Sequence, residues 1–205
     1  MKFLCIVWAL TLSQLSFAVA VEDHPLVYES YSLEAVGKYP QAIEKMTLIL
    51  AKKSDDYFVN YRLGWLFSLH KKYKNAAEHY KNAAKINPTS LEPWLALSLL
   101  SVNLGVWPSA VTYSEEILKR NVDSYYGNLR YIMASIQLKN YANALEKVDS
   151  ILKSYPTDVI FLEQKAFVLA ELGKTDAAKK VILDLLLLSP ENVYARSFMN
   201  KLKSL

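Results

Sequence analysis

Nonpolar residues recur along the chain at the spacing of amphipathic helices. In the segment "YRLGWLFSLHKKYKNAAEHYKNAAKINP", from Tyr61 to Pro88, they form two runs on either side of a lysine pair. Spacing of i, i+3, i+4 and i+7 places such residues on one face of an α-helix. The pattern predicts two helices of about thirteen residues each, joined by a short turn at the lysine pair. Pro88 is expected to follow the second helix, because proline cannot continue an α-helix.

The same pattern repeats with a period of 34 residues. A column is the set of residues that share one position in successive repeats. One column holds only alanine, and the column at the predicted turn holds glycine or lysine. The two columns are Ala42, Ala76, Ala110, Ala144, Ala178 and Gly37, Lys71, Gly105, Lys139, Gly173. The frame divides the chain into five units with no insertion: 23–56, 57–90, 91–124, 125–158 and 159–192. A small residue at one position of every unit indicates that two helices cross there at close range.

This period and its signature residues resemble the tetratricopeptide repeat family. The second unit matches best, with Leu63, Gly64, Phe67, Tyr73, Ala76, Tyr80, Ala83 and Pro88 at the family's signature positions. The first unit departs from it, since Glu29 and Ser30 replace the Leu-Gly pair. The resemblance implies an all-α fold, a right-handed α-solenoid of five helix pairs within a domain spanning 21–192. It also implies that the first helix of each unit lines a concave groove.

The residues after the last unit predict one further helix. Segment 193–205 has nonpolar residues at helical spacing and cations opposite them. Repeat arrays need a polar-faced cap, so we expect 193–205 to be a capping helix that also covers Leu187. The alternative is a helix that docks on a partner.

The first twenty residues have the layout of a secretory signal peptide. A basic start at Lys2 precedes a nonpolar run from Phe3 to Leu12; a more polar stretch follows, and the segment ends in Ala18-Val19-Ala20. The run is about ten residues long, whereas a membrane span needs roughly twenty. We therefore expect 1–20 to be cleaved and the protein to be exported, to a bacterial periplasm or otherwise secreted. The alternative is a retained anchor. The single cysteine, Cys5, lies within this segment, so the rest of the chain has no thiol.

The remaining composition favours binding over chemistry. The 24 basic and 20 acidic residues are scattered, with no polybasic strip for nucleic acid or anionic lipid. The histidines lack a ligand set, and phosphate loops and hydrolase motifs are absent. Glu92 and Glu163 lie two units apart, too far for a glycosidase acid pair. We predict no catalytic residue, cofactor or metal, and no enzymatic activity.

Positions 2, 5, 6 and 9 of each unit give the first helices a nonpolar, aromatic stripe. The candidate peptide-binding residues in it are Phe58, Tyr61, Arg62, Trp65, Leu95, Leu99, Tyr126, Leu129, Arg130, Met133 and Phe167. The family's carboxylate clamp does not carry over, because its asparagines at position 9 and its lysine at position 5 are missing. Arg62 and Arg130 could hold an acidic group more weakly, or be solvated, and part of the stripe is expected to pack between helices.

These features predict a non-catalytic adaptor of the cell envelope that binds an apolar peptide segment in its groove. Such a protein is an assembly factor, a chaperone or a subunit of a complex. Its partner would be a protein or peptide with apolar anchors. The alternative is a structural protein that associates with itself as a homo-oligomer.

Overall fold

The computed structural model describes residues 20–203, which form eleven α-helices and no strand. The helices are α1 (His24–Ala35), α2 (Tyr39–Lys52), α3 (Tyr57–Leu69), α4 (Tyr73–Ile86), α5 (Glu92–Asn103), α6 (Trp107–Arg120), α7 (Tyr125–Gln137), α8 (Tyr141–Ile151), α9 (Val159–Glu171), α10 (Thr175–Leu188) and α11 (Val193–Lys203). A short 3-10 helix, Val21–Asp23, precedes α1. The predicted all-α repeat fold is confirmed. The predicted signal peptide, apart from residue 20, lies outside the described residues, as do residues 204 and 205.

The first ten helices form five pairs, one pair in each 34-residue unit. Side-chain caps fix the start of several first helices: Asp56 accepts a hydrogen bond from the Val59 amide at 3.0 Å, and Asp158 accepts one from the Phe161 amide at 3.0 Å. Such caps satisfy amides that have no partner inside the helix. Proline in the first turn opens α1, α2, α5 and α6, where its missing N–H costs nothing.

The turn inside each pair has the same geometry in all five units. The residue of the glycine/lysine column has a positive φ, with values of 73° at Gly37 and 60° at Lys71. The next amide then bonds back five residues, as from Lys72 N to Phe67 O at 2.8 Å. This is a Schellman turn, which places the second helix against the first. The predicted turn column is therefore confirmed, and two of its five residues are lysines in a conformation that favours glycine.

Neighbouring helices pack closely through small residues. All five alanines of the alanine column are fully buried. In the second unit, the ring of Tyr80 packs directly against α3 at Gly64. A Cβ added at Gly64 would lie 2.5 Å from Tyr80 Cδ1. Each helix packs against the next along the chain, and α5 also contacts α7, as α7 does α9. The first helices α1, α3, α5, α7 and α9 thus lie side by side and share one surface, which we call the first-helix face.

Helix α11 packs against α10 at the end of the stack. Ala195 is fully buried in a cluster with Ile182 and Leu185, and Phe198 packs against that cluster. The expectation that this helix would cover Leu187 is wrong, because Leu187 is 82% exposed. Leu187 lies two residues after Leu185 and so points away from the face on which α11 rests.

Candidate protein-binding face of the first helices

The structure places all eleven candidate residues on α3, α5, α7 and α9, but not all of them at the surface. Trp65, Leu99 and Tyr126 are exposed, and Arg62 is buried. The others are half-buried: Phe58, Tyr61, Leu95, Leu129, Arg130, Met133 and Phe167. Some of these pack against core clusters, as Phe58 does beside α1 and α2, and Leu129 and Phe167 beside α8. The stripe thus divides into seam residues and surface residues.

Five of the candidates come together around one open cavity of about 240 Å³. These five are Tyr61, Trp65, Leu95, Leu99 and Arg130. Tyr80 and Glu92 also line it. The walls come from α3 and α5, with Tyr80 contributed by α4 and Arg130 by α7. Nonpolar walls with a few polar groups are typical of binding sites in proteins.

Aromatic contacts hold the cavity walls in place. Tyr61 stacks on Tyr57 with ring centroids 6.2 Å apart, and it contacts Tyr80 at 5.5 Å. Burial raises the pKa of Tyr61, so its hydroxyl is neutral at physiological pH. Trp65 donates its indole hydrogen to Glu34 Oε1 at 2.7 Å while 44% of the residue stays exposed. The exposed ring therefore has a fixed orientation.

Arg62 lies in the seam between α1 and α3 rather than on the open surface. Only 5% of it is exposed, and its guanidinium forms an ion pair with Glu34. It also donates to Ser30 Oγ at 3.2 Å and covers the ring of Tyr31 at 3.7 Å. Its charge is thus balanced inside the protein. The idea that Arg62 holds an acidic group of a ligand stays a prediction, with no observation in its favour.

Arg130 has different surroundings. Its Nη1 donates to the Leu95 carbonyl oxygen at 2.6 Å and to Ser98 Oγ at 2.8 Å, and its guanidinium lies 5.2 Å from the Tyr126 ring centre. Burial lowers the pKa of Arg130, but an arginine remains charged at neutral pH. Among residues 20–203, no carboxylate forms an ion pair with it. The guanidinium contributes to the wall of the cavity.

Further nonpolar residues lie on the first helices outside the candidate set. Tyr28 and Tyr31 on α1 and Ile160 on α9 are all exposed. They share columns 2, 6 and 9 with the candidates, so the column pattern already pointed to them. Glu34 and Ser98 could not be found this way, because each contacts an arginine of the following unit.

The described part of the chain offers little for catalysis. Between residues 20 and 203 no group of three or more His, Cys, Asp or Glu side chains could hold a metal ion. His79, on α4, faces α3: its ring stacks on that of Phe67 with centroids 5.3 Å apart, and its Nδ1 lies 3.2 Å from Asn60 Oδ1. In the same range, no helix has both the length and the nonpolar character needed to cross a membrane.

Comparison with known proteins agrees with this architecture. The family model for the tetratricopeptide repeat matches residues 59–90, which fall within the second unit. No curated protein matches the sequence significantly.

Several solved structures share the fold. A tetratricopeptide repeat protein from Parabacteroides merdae has a TM-score of 0.76 at 19% identity, covering 87% of this chain and 71% of its own. YrrB, described as a TPR protein with an unusual peptide-binding site, has a TM-score of 0.73 at 15% identity, covering 86% and 91%. MamA has a TM-score of 0.73 at 14% identity, covering 82% and 92%.

These likenesses establish the fold, and the repeat match establishes the kind of unit from which it is built. Tetratricopeptide units are typical of scaffolds that bind protein or peptide partners without catalysis. Residues 59–90 therefore match a tetratricopeptide repeat, and the described part of the chain has the all-α repeat fold of tetratricopeptide repeat proteins.

Proposed function

We propose that this protein is a non-catalytic adaptor that binds an apolar segment of a partner protein on its first-helix face. The observation that carries the proposal is the cavity of about 240 Å³, with Trp65 and Leu99 exposed beside it. Tryptophan and other aromatic residues are enriched at the centres of protein interfaces. YrrB, which shares the fold, is described as having a peptide-binding site.

The mechanism needs no chemical step. The first helices hold the cavity walls in a fixed arrangement through ring contacts and the hydrogen bond from Trp65 to Glu34. A preformed surface loses little conformational entropy when its ligand binds. Burying an apolar anchor of the ligand contributes roughly 25 cal/mol per Å² of surface removed from water. Most of the conformational entropy lost on binding is therefore lost by the partner segment as it becomes ordered.

We propose that the protein is located in the cell envelope, in a bacterial periplasm. The support is the sequence of residues 1–20, which predicts export and cleavage after Ala20. Osmotic-shock fractionation with N-terminal sequencing tests this location. We expect a soluble periplasmic form that begins at Val21. A protein found only in the cytoplasm, or one that keeps residues 1–20, would contradict it.

The binding role is tested with two matched double substitutions to alanine. Trp65→Ala with Leu99→Ala removes two side chains beside the cavity, which are 44% and 43% exposed. Leu48→Ala with Leu183→Ala removes two equally exposed side chains, 48% and 45%, from second helices. Affinity capture from the envelope fraction should lose its specific partner with the first pair only. If both pairs lose it, or neither does, the first-helix face is not the binding surface.

One observation favours a second role, self-association. The outer face of α10 carries Leu183 and Leu187 one turn apart, and both are exposed. Contiguous exposed nonpolar side chains often mark an interface. If this face joins copies of the chain, sedimentation velocity should show a dimer or larger species that Leu187→Lys converts to monomer. A wild-type protein that stays monomeric at all concentrations would exclude this role.

A further inference from the structure

Two arginines stand in the same column of the repeat, in units two and four. Arg62 and Arg130 are 68 residues apart, and each donates to a serine 32 residues before it, Ser30 or Ser98. The backbone turn that follows is also alike in these two units, since both have a lysine with positive φ in the turn column. The two sites can therefore be compared residue by residue.

The first site carries its own counter-ion and the second does not. Glu34 forms the ion pair with Arg62. The residue 68 positions later, at the corresponding place on α5, is Val102. Arg130 is left with hydrogen bonds to a carbonyl and a hydroxyl, both neutral acceptors. The same arginine column thus has a complete charge pair in one unit and half of a pair in another.

A partly buried guanidinium without a counter-ion is costly. Removing a charge from water is compensated only when an opposite charge or enough hydrogen bonds replace the water. The cost falls when a carboxylate arrives from outside, and Arg130 lies where one could arrive, in the wall of an open cavity. Arginine holds carboxylates through short, charge-assisted hydrogen bonds. Val102, unlike Glu34 in the first unit, supplies no negative charge to the arginine of the following unit.

We propose that Arg130 binds a side-chain carboxylate of the ligand, an Asp or Glu flanked by bulky apolar residues in an internal segment of a partner protein. The flanking residues are placed against Trp65 and Leu99 in the same cavity. An internal segment fits better than a chain end, because exposed aromatic and aliphatic residues continue on both sides of the cavity. Tyr28 and Tyr31 lie on α1, and Ile160 lies on α9. This inference rests on the proposed function.

Glu92 is the acidic residue that lines the cavity, and it forms no ion pair with Arg130. Its Oε2 accepts the hydroxyl hydrogen bond of Tyr57 at 2.6 Å. A ligand carboxylate would be repelled near Glu92 and attracted near Arg130. The two charges therefore fix where along the cavity the acidic side chain sits.

The test begins with a random dodecapeptide library displayed as N-terminal fusions, so that no displayed peptide has a free carboxyl terminus. Wild-type protein should enrich peptides with bulky apolar residues around one Asp or Glu. Val102→Glu supplies the counter-ion that Glu34 gives Arg62, so it should still enrich apolar peptides but without the acidic residue. Val102→Gln, of equal size and no charge, should keep the acidic preference.

The outcomes separate this inference from the proposed function. If wild-type protein enriches nothing, the binding function fails. If it enriches apolar peptides with Asp and Glu no more frequent than in the library, the role of Arg130 is refuted and the binding function stands. If Val102→Glu keeps the acidic preference, Arg130 is not the group that selects it.

Fluorescence anisotropy then measures the contribution of the charge. The best selected peptide is synthesised with an amidated carboxyl terminus, in its acidic form and with the acid replaced by Gln or Asn. We expect the acidic peptide to bind wild-type protein at least tenfold more tightly, as for a charge-assisted hydrogen bond. Arg130→Met should remove that difference. The Gln or Asn peptide is also made with a free carboxyl terminus. If that form, and not the acidic side chain, binds more tightly, the ligand is a chain end and the inference is wrong.

Discussion

Replacing the two lysines of the turn column by glycine should stabilise the protein. Lys71 and Lys139 have φ values of 60° and 59°, in the left-handed region. The other three units have glycine there, with φ between 67° and 73°. Both lysine side chains are exposed, so the substitutions remove almost no packing.

The gain follows from backbone conformation. An L-residue in the left-handed helical region costs roughly 1–2 kcal/mol, because its Cβ approaches the following carbonyl oxygen. Glycine avoids that cost but loses about 0.5–1 kcal/mol more conformational entropy on folding. The net gain is about 0.5–1 kcal/mol at each position. The two positions lie in different units without shared neighbours, so the effects should add to about 1–2 kcal/mol. For a chain of this size that corresponds to a rise in Tm of roughly 2–8 °C.

Thermal melting by circular dichroism checks the prediction in three variants. Lys71→Gly/Lys139→Gly should melt above wild type. Lys71→Ala/Lys139→Ala loses the same charges but keeps the Cβ, so it should melt clearly below the glycine variant. Lys81→Gly, at an exposed position inside α4, should lower Tm because glycine weakens a helix interior by about 1 kcal/mol. If the alanine variant rises as much as the glycine variant, charge and not backbone conformation is the cause.

Three further substitutions test the interior. Gly64→Ala should cost about 1–3 kcal/mol, because its Cβ would lie 2.5 Å from Tyr80 Cδ1, although alanine is the better helix former. Burial lowers the pKa of His79, so the unfolded chain takes up the proton first; stability should fall as pH drops below about 6.5. Arg62→Met should cost about 3 kcal/mol, since it leaves the Glu34 carboxylate without its cation. Urea denaturation measures each effect.

Each of the three has its own control. Tyr80→Leu should relieve part of the Gly64→Ala penalty, and a purely additive double variant would argue against the clash. His79→Gln should flatten the stability profile between pH 7.5 and 5; an unchanged slope would assign it to other groups. Adding Glu34→Met should restore most of the stability lost in Arg62→Met. No recovery would mean that the Arg62–Glu34 ion pair does not account for the lost stability.

The helices and turns could be predicted from the sequence because their causes are local. The glycine/lysine column marks a conformation that the turn requires, and the alanine column marks where helices come closest. In the second unit, the predicted segment 57–90 contains α3 (Tyr57–Leu69) and α4 (Tyr73–Ile86), with Pro88 just after them. Repetition made each weak local signal strong.

The division of the stripe into seam and surface could not be predicted in the same way. It depends on contacts between residues of neighbouring units, which a comparison of equivalent positions within one column does not contain. Arg62 and Arg130 share a column, yet one is buried against Glu34 and the other lines a cavity. What differs is a residue on the preceding unit, Glu34 in one case and Val102 in the other.

The prediction that Leu187 is covered is wrong because it rests on a single residue. A nonpolar residue in an otherwise small or basic column suggested a covered position. The last helix instead rests on the neighbouring face of α10, which carries Ile182 and Leu185. A single nonpolar residue does not reveal which side of a helix a later segment will cover.

Site-specific photo-crosslinking in intact cells tests the central claim most directly. Benzoylphenylalanine replaces either Leu99 on the first-helix face or Leu183 on α10, two leucines that are 43% and 45% exposed. We expect irradiation to join the partner protein to position 99 and not to position 183, and mass spectrometry to map the link to an apolar segment of the partner. A partner linked at position 183 and absent at position 99 would contradict it.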